Sequence, residues 1–270
     1  MGHIFDIRLA KLYESWHHSP KGRAMDSFVE QLIPELVEPK KYERVLDIGC
    51  GTGNHLLIFN RMGMDINGID ASPYMIDRAR KRIGDRCNFK TGMAEDLPFD
   101  DNEFDLAIMI NTLEFLDNPL EALREAGRVS RKKVLICVLN SLSWYYAFHK
   151  LSGLFRETIC KYTHSYTLWG AQSLLRMAYG HAPVEWRCDH GWPFSAGKMI
   201  GLSSDPSGSA LWPFGSFLVL CARMDYRVKT DNLPLKIRVK KQEEPVAGGI
   251  TNAAIRSADS RMLRDRVRRK

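Results

Sequence analysis

Short apolar runs alternate with helix-forming segments from Arg44 onward, and this alternation constrains the fold more than any other feature of the chain. The first five runs are 44–49, 64–70, 87–92, 104–111 and 132–140. Strands that alternate with helices form a parallel sheet covered by helices, and right-handed crossovers make that sheet doubly wound. The runs are almost continuously apolar, as expected for strands buried on both faces. We therefore predict an α/β domain over residues 44–225.

The chain follows a looser pattern after residue 140. Residues 140–169 contain eight aromatic side chains, and we interpret this segment as an insertion that forms an acceptor pocket or lid, or the core of an irregular subdomain. A predicted helix at 170–180 is followed by two strand-like runs, 183–189 and 216–224. We expect these two runs to pair as an antiparallel hairpin at the sheet edge, which makes a mostly parallel sheet of seven strands.

The two ends of the chain differ from this domain. Residues 1–43 contain apolar residues at helical spacing over 24–38, with Pro34 as the kink or the end, and we interpret them as an N-terminal helical lid or cap. Residues 226–270 hold 13 Lys and Arg against 5 Asp and Glu, which accounts for the net charge of +7. Such a tail is most often a solvated, disordered end. Contact with nucleic acid or an anionic membrane is the alternative.

Composition argues against several classes of protein. No apolar run approaches the roughly 18 residues of a membrane-spanning helix, and the N-terminus lacks the apolar stretch of a secretory signal. The six cysteines are scattered, with no CxxC pair and no close Cys/His cluster. We therefore expect neither a disulfide framework nor a bound metal. A reduced, cytoplasmic protein is the natural interpretation.

The stretch VLDIGCGTGN, residues 45–54, joins the first predicted strand to a turn with glycines at alternate positions. Gly49, Gly51 and Gly53 let the backbone bend tightly and approach a ligand that a Cβ atom would obstruct. Open sheets bind ligands at such strand ends, where the next helix presents unpaired N–H groups. A tight turn without a ligand is the structural alternative. A dinucleotide site is disfavoured because its G-x-G-x-x-G spacing requires glycine at Asn54.

Further motifs follow this turn in order along the chain. They are GIDAS at 68–72, SPYMID at 72–77, GMAEDLPF at 92–99 and MINTLEFL at 109–116. Together with the glycine turn, they resemble the class I S-adenosylmethionine-dependent methyltransferases. The resemblance is strong over 44–130 and is reduced to architecture over 131–223. It implies a Rossmann-like methyltransferase fold, S-adenosyl-L-methionine as the cofactor, and methyl transfer by in-line displacement.

The resemblance also implies which residues hold that cofactor. The twelve matching positions are Tyr13, Asp47, Gly49, Gly51, Gly53, Asp70, Ala71, Met75, Met93, Ala94, Glu95 and Asn111. Asp47 and the glycines match the loop that faces the methionine part of the cofactor. Asp70 matches the acid that accepts hydrogen bonds from the ribose hydroxyls. Tyr13 matches a preamble that folds over the cofactor as a lid, and plain packing is its alternative.

Other matching positions belong to the adenine and the sulfonium. Met75 matches the apolar cover of the adenine, and Asn111 matches a position beside the sulfonium. Many relatives have an acid at Met93, so we expect the adenine amino group to use the Met93–Ala94 backbone or Glu95. The structural alternatives are helix packing for Met75, a strand-end cap for Asn111, and a favourable charge at a helix N-terminus for Asp70.

The acceptor of the methyl group is less constrained. A small or medium-sized molecule is favoured by the aromatic segment 140–169. A thiolate or carboxylate acceptor needs no general base, whereas an amine or hydroxyl requires one, for which His149, His164 and Tyr166 are candidates. Methylation of RNA or protein through the basic tail is an alternative, and so is binding of S-adenosylmethionine without catalysis.

Overall fold

The N-terminal residues form two helices in a computed structural model that describes residues 7–143, 146, 163–189 and 213–224. Helix α1 spans Ile7–His17, and α2 spans Pro20–Leu36. Helix α2 begins four residues before the predicted segment because Ser19 caps it: the Ser19 hydroxyl accepts a hydrogen bond from Gly22 N at 3.2 Å. Pro34 lies inside the last turn of α2 and does not end the helix.

The α/β alternation predicted from Arg44 onward is present. The elements in chain order are β1 Arg44–Ile48, α3 Leu56–Arg61, β2 Asp65–Asp70, α4 Pro73–Ile83, β3 Cys87–Thr91, β4 Phe104–Ile110, α5 Pro119–Val129, β5 Ser130–Leu139, α6 Leu168–Tyr179, β6 Val184–Cys188 and β7 Phe217–Arg223. Short 3₁₀ turns follow α4 and β4, at Gly84–Arg86 and Leu113–Phe115. Within the described residues, no helix is long and apolar enough to cross a membrane.

The seven strands form one mixed sheet in the order β3-β2-β1-β4-β5-β7-β6. Strands β1 to β5 pair in parallel, whereas β7 pairs antiparallel with both β5 and β6. The predicted doubly wound sheet with an antiparallel edge hairpin is therefore confirmed. Strand β1 lies between β2 and β4, although β3 separates those two along the chain. The carboxyl ends of these three neighbouring strands consequently meet at one edge.

Helices cover both faces of the sheet with separate apolar cores. Val45 packs with residues of α2 and α3, including Ile33 and Phe59. Its neighbour Leu46 packs on the other face with residues of α5 and α6, including Leu123. Successive side chains of a strand point to opposite faces, so a continuous apolar run is needed wherever both faces are covered.

One boundary differs from the prediction. The sequence predicts a helix through Ser130 and a strand from residue 132, whereas β5 already begins at Ser130. The Ser130 hydroxyl donates to the carbonyl oxygen of Lys133 at 2.6 Å, and the pairing of β5 with β4 shifts register between Phe104 and Leu106. A bulge at this point changes the register locally. Residues 226–270 and most of the predicted insertion 140–169 lie outside the described residues.

Candidate functional site

A cleft opens at the carboxyl edge of β1, β2 and β4. Ten of the twelve predicted cofactor-binding residues line it: Tyr13, Gly49, Gly51, Asp70, Ala71, Met75, Met93, Ala94, Glu95 and Asn111. The other two, Asp47 and Gly53, are not among its lining residues. Thr112, Phe115 and Leu116, which the sequence did not single out, also line it.

The three glycines of the turn have different local requirements. All three have positive φ, at +74° for Gly49, +51° for Gly51 and +78° for Gly53. A Cβ atom at Gly49 would lie 2.4 Å from Thr112, and one at Gly53 would lie 2.6 Å from Ile83. A Cβ atom at Gly51 would meet no atom within 4 Å. Gly49 and Gly53 are therefore needed for packing, whereas Gly51 leaves open space along the cleft.

Asp70 at the end of β2 is held by two backbone donors. Its Oδ2 accepts from Gly51 N at 2.9 Å, and its Oδ1 accepts from Ser72 N at 2.8 Å. Burial raises the pKa of Asp70, and these two hydrogen bonds oppose that rise. A carboxylate oxygen can accept two hydrogen bonds, so each oxygen retains acceptor capacity toward the cleft.

Asp47 lies beneath the turn and is 1% exposed. Its Oδ2 is buried without a hydrogen-bond partner. Burial, and then the negative charge of Asp70, raise the pKa of Asp47 to about 8. A buried carboxyl without a partner is costly when ionised, so this position favours a cation or a hydrogen-bond donor.

Asn111 and Tyr13 meet at the end of the cleft next to α1 and α2. Asn111 has a φ of +53°, a left-handed conformation that asparagine adopts more readily than most residues. Its Nδ2 lies 2.8 Å from the Met25 sulfur and also hydrogen-bonds the Tyr13 hydroxyl, while its Oδ1 is buried without a partner. Burial, followed by the charges of Asp26, Asp47 and Glu114, raises the pKa of Tyr13. Tyr13 is therefore a neutral phenol at physiological pH.

The opposite end of the cleft is mostly apolar. Met75 and Ala94 are buried and line it, whereas Met93 is 39% exposed. Glu95 also lines this end, and its Oε2 is buried without a hydrogen-bond partner. An apolar cover with one unpaired acceptor suits a flat ring that carries an amino group.

The predicted acid–base candidates do not line the cleft in the described part of the chain. His149 lies outside the described residues, and the His164 side chain is exposed. The Tyr166 hydroxyl donates to the carbonyl oxygen of Leu113 at 3.0 Å. Burial and the nearby charge of Glu114 raise the pKa of Tyr166, so its phenol remains neutral.

Sequence reasoning did not identify Glu114, which is fully buried between the end of β4 and β5. Its Oε1 accepts from Leu139 N at 2.7 Å, and its Oε2 has no partner. Burial raises the pKa of Glu114 to about 8, although backbone hydrogen bonds oppose the shift. The available signal was an acid inside the apolar segment MINTLEFL.

These residues fit S-adenosyl-L-methionine, which combines a cationic amino acid end, a ribose and an adenine. Gly51 leaves space for close approach to the backbone, and Asp70 retains acceptor capacity for hydroxyl groups. Three buried oxygens have no hydrogen-bond partner: Asp47 Oδ2, Asn111 Oδ1 and Glu95 Oε2, of which Asn111 and Glu95 line the cleft. Each requires a donor or a positive charge, and this ligand carries both.

Comparisons with known proteins agree with this description. Residues 46–138 match a family model described as a methyltransferase domain. A demethylmenaquinone methyltransferase of Thermotoga maritima is 32% identical over 120 residues, which cover 44% of this chain and 52% of the relative. An O-methyltransferase of Aspergillus sclerotiorum is 30% identical over 125 residues, or 43% of this chain and 47% of the relative. The chain thus spans about half the length of these relatives.

A solved structure shows the same fold over a larger share of the chain. It is an S-adenosylmethionine-dependent methyltransferase of Thermotoga maritima, with a TM-score of 0.55 and 22% identity. The match covers 80% of this chain and 96% of the solved one. At this identity the likeness shows the fold alone.

Proposed function

We propose that this chain, which belongs to the class I S-adenosylmethionine-dependent methyltransferases, transfers the methyl group of S-adenosyl-L-methionine to a small or medium-sized molecule. The cleft is the observation that supports this proposal. The glycine turn, Asp70 and Asn111 meet there at the carboxyl ends of three adjacent parallel strands. Open α/β sheets bind ligands at such a switch point.

The methionine and ribose parts of the cofactor would be held by the turn and the two strand ends beside it. Asp70 would accept hydrogen bonds from the ribose hydroxyls while it remains bonded to Gly51 N and Ser72 N. Gly51 would allow the amino acid part to approach the backbone. Asp47 would complement the ammonium group, which resolves the cost of its unpaired buried oxygen.

The adenine would be held at the apolar end of the cleft. Met75 and Ala94 would cover the ring, and their burial supports that role. Glu95 would accept from the adenine amino group, because its Oε2 has no hydrogen-bond partner. In this assignment, Glu95 takes the role of the acid that many relatives have at the position of Met93.

The chemistry requires alignment more than acid–base catalysis. When bound, S-adenosyl-L-methionine supplies an electrophilic methyl group on a sulfonium leaving centre. The protein contributes by positioning the reactants and excluding water. Tyr13 lines the cleft as a neutral phenol hydrogen-bonded to Asn111, so it positions the lid and is a poor base. Among the described lining residues we assign no general base, and the candidate His149 lies outside the described residues.

The size of the acceptor is inferred from the relatives and the basic tail. The similar proteins are named for demethylmenaquinone and for O-methylation, which supports a small acceptor but not a particular one. Methylation of RNA or protein depends on residues 226–270. A chain that ends at residue 225 keeps the backbone hydrogen bonds of Arg223 and Met224 to neighbouring strands and loops. Unchanged turnover with a small acceptor supports our proposal, whereas transfer to RNA or protein that is lost with the tail supports the alternative.

Calorimetry and a transfer assay test the activity itself. We expect S-adenosylmethionine and S-adenosylhomocysteine to bind and NAD not to bind. Transfer of a labelled methyl group is then measured across thiols, carboxylic acids, phenols and amines, with RNA and a protein mixture in parallel. Transfer to one of the small molecules confirms the proposal. Tight binding with no transfer to any acceptor would instead identify a binding protein without catalysis.

A further inference from the structure

Three side chains with metal-ligating atoms meet beside the glycine turn. His17 ends α1, Asp26 lies in α2, and His55 immediately precedes α3. The Nε2 atoms of His17 and His55 lie 3.2 Å and 3.1 Å from the same Asp26 oxygen, Oδ1. One ligand atom from each residue lies within 4.8 Å of the other two. It is the one such group among the residues that the structure describes.

The two His–Asp separations are close to the spacing of ligand atoms around a transition metal ion. Zinc binds histidine nitrogen and aspartate oxygen at about 2.0–2.2 Å, so adjacent ligand atoms of a tetrahedral site lie about 3.4 Å apart. The two measured separations are within about 0.3 Å of that value. A donor set of two histidines and one carboxylate favours transition metal ions over Mg²⁺ or Ca²⁺.

The surroundings also suit a bound cation. Both histidines are buried, with 5% of each residue exposed, whereas the Asp26 side chain is 28% exposed and provides a path from solvent. The Asn54 side-chain amide contacts the two ring nitrogens of His17 at 3.1 and 3.2 Å.

We propose that His17, Asp26 and His55 bind one divalent transition metal ion, with Zn²⁺ as the reference metal, and that this ion ties α1 and α2 to the start of α3. The His17 ring lies 6.0 Å from the ring of Tyr13, which lines the cleft. The ion would therefore fix the lid beside the cofactor without contacting the cleft. The alternative is a hydrogen-bonded network in which one Asp26 oxygen accepts from both rings. Neither the residue spacing nor the cysteine pattern predicts the cluster.

Metal uptake by the full chain distinguishes the two arrangements. The protein is stripped with a chelator and titrated with Zn²⁺ by calorimetry and with Co²⁺ by visible absorption. We expect one equivalent to bind, and tetrahedral Co²⁺ bands to appear. Asp26→Asn and His55→Ala should each weaken binding by at least about tenfold. His18→Ala, which removes an exposed neighbour, should bind like the wild type.

Thermal unfolding supplies a second readout. Zn²⁺ should raise the melting temperature of the wild type and of His18→Ala but not of Asp26→Asn. Asp26→Asn keeps an oxygen that accepts hydrogen bonds, so it preserves the volume and much of the network if His55→Ala fails to fold. No uptake by the wild type, or equal uptake by Asp26→Asn, would overturn the proposal. Binding of S-adenosylhomocysteine is measured separately on metal-free protein, so either proposal can fail without the other.

Discussion

The carboxylate of Asp70 accepts a hydrogen bond from the backbone N–H of Gly51 at 2.9 Å, so the last residue of β2 is bonded directly to the turn that follows β1. A second bond, from Ser72 N at 2.8 Å, fixes the other oxygen at the start of α4. Asp70 therefore connects the two loops that border the nucleoside end of the cleft. Its orientation is set before any ligand arrives.

Replacement of Asp70 tests its role toward the ribose. We expect Asp70→Ala to weaken binding of S-adenosylhomocysteine by at least about tenfold, because hydrogen bonds to a charged group are worth about 1.5–3 kcal/mol. Asp65→Ala is the control, since Asp65 begins the same strand and its side chain is 48% exposed beside Arg44. Calorimetry at equal pH and salt gives both affinities. Equal affinity of Asp70→Ala and the wild type would remove Asp70 from the site.

Alanine at Gly51 and at Gly53 should have opposite consequences. Gly51→Ala meets no protein atom, so it should cost about 1 kcal/mol of stability from its positive φ and should strongly weaken ligand binding. Gly53→Ala brings a Cβ atom to 2.6 Å from Cδ1 of the buried Ile83 side chain. It should therefore cost a further ~1–3 kcal/mol in stability. Urea unfolding and calorimetry measure the two quantities. If one variant loses more than the other in both stability and ligand affinity, the two glycines do not have these different roles.

Proton release on binding tests the position of Asp47. Burial and Asp70 raise the pKa of Asp47 to about 8, so its carboxyl is mostly protonated in the free protein at pH 7. An ammonium group placed beside it lowers that pKa, and the proton leaves as the ligand binds. The wild type should therefore release nearly one proton more than Asp47→Asn. Calorimetry in two buffers with different ionisation enthalpies measures this difference, and equal release would place the ammonium group elsewhere.

Glu114 should make the protein less stable as the pH rises. Its pKa is about 8 in the folded state and about 4.3 in an unfolded chain. Because the unfolded state loses this proton first, the stability is fully present below about pH 4 and is lost as the pH rises toward 8. Glu114→Gln should therefore gain stability relative to the wild type between pH 5 and pH 8.

Urea unfolding across this pH range measures the effect of Glu114→Gln. Glu121→Gln is the matched control, because Glu121 forms an exposed pair with Arg124 and such pairs contribute only about 0–1 kcal/mol. A difference between Glu114→Gln and the wild type that does not change with pH would show that this carboxyl remains ionised in the folded protein.

The apolar runs predicted the strands, but they did not predict the order of the strands. Each run is local, so its length and apolar character could be read directly. The placement of β1 between β2 and β4 depends on which crossover passes over which face, and those contacts are distant in sequence. The start of β5 was missed because it depends on the hydrogen bond from the Ser130 hydroxyl to the Lys133 carbonyl oxygen and on a register shift against β4.

The candidate site was predicted where a motif carries its own geometry. The glycine turn and Asp70 lie within such motifs, and the structure brings both to one cleft. The distinct role of Gly53 depends on Ile83, which lies thirty residues away along the chain. The burial of Glu114 and the meeting of His17 with Asp26 and His55 likewise arise only when separate elements pack together.

A crystal structure of the protein with S-adenosylhomocysteine most directly tests the proposed site. We predict the ribose hydroxyls within hydrogen-bond distance of the Asp70 carboxylate, the adenine beside Met75 and Glu95, and the amino group near Asp47. A cleft without ligand at saturating concentration, or a nucleoside bound away from Asp70, would contradict the proposed function.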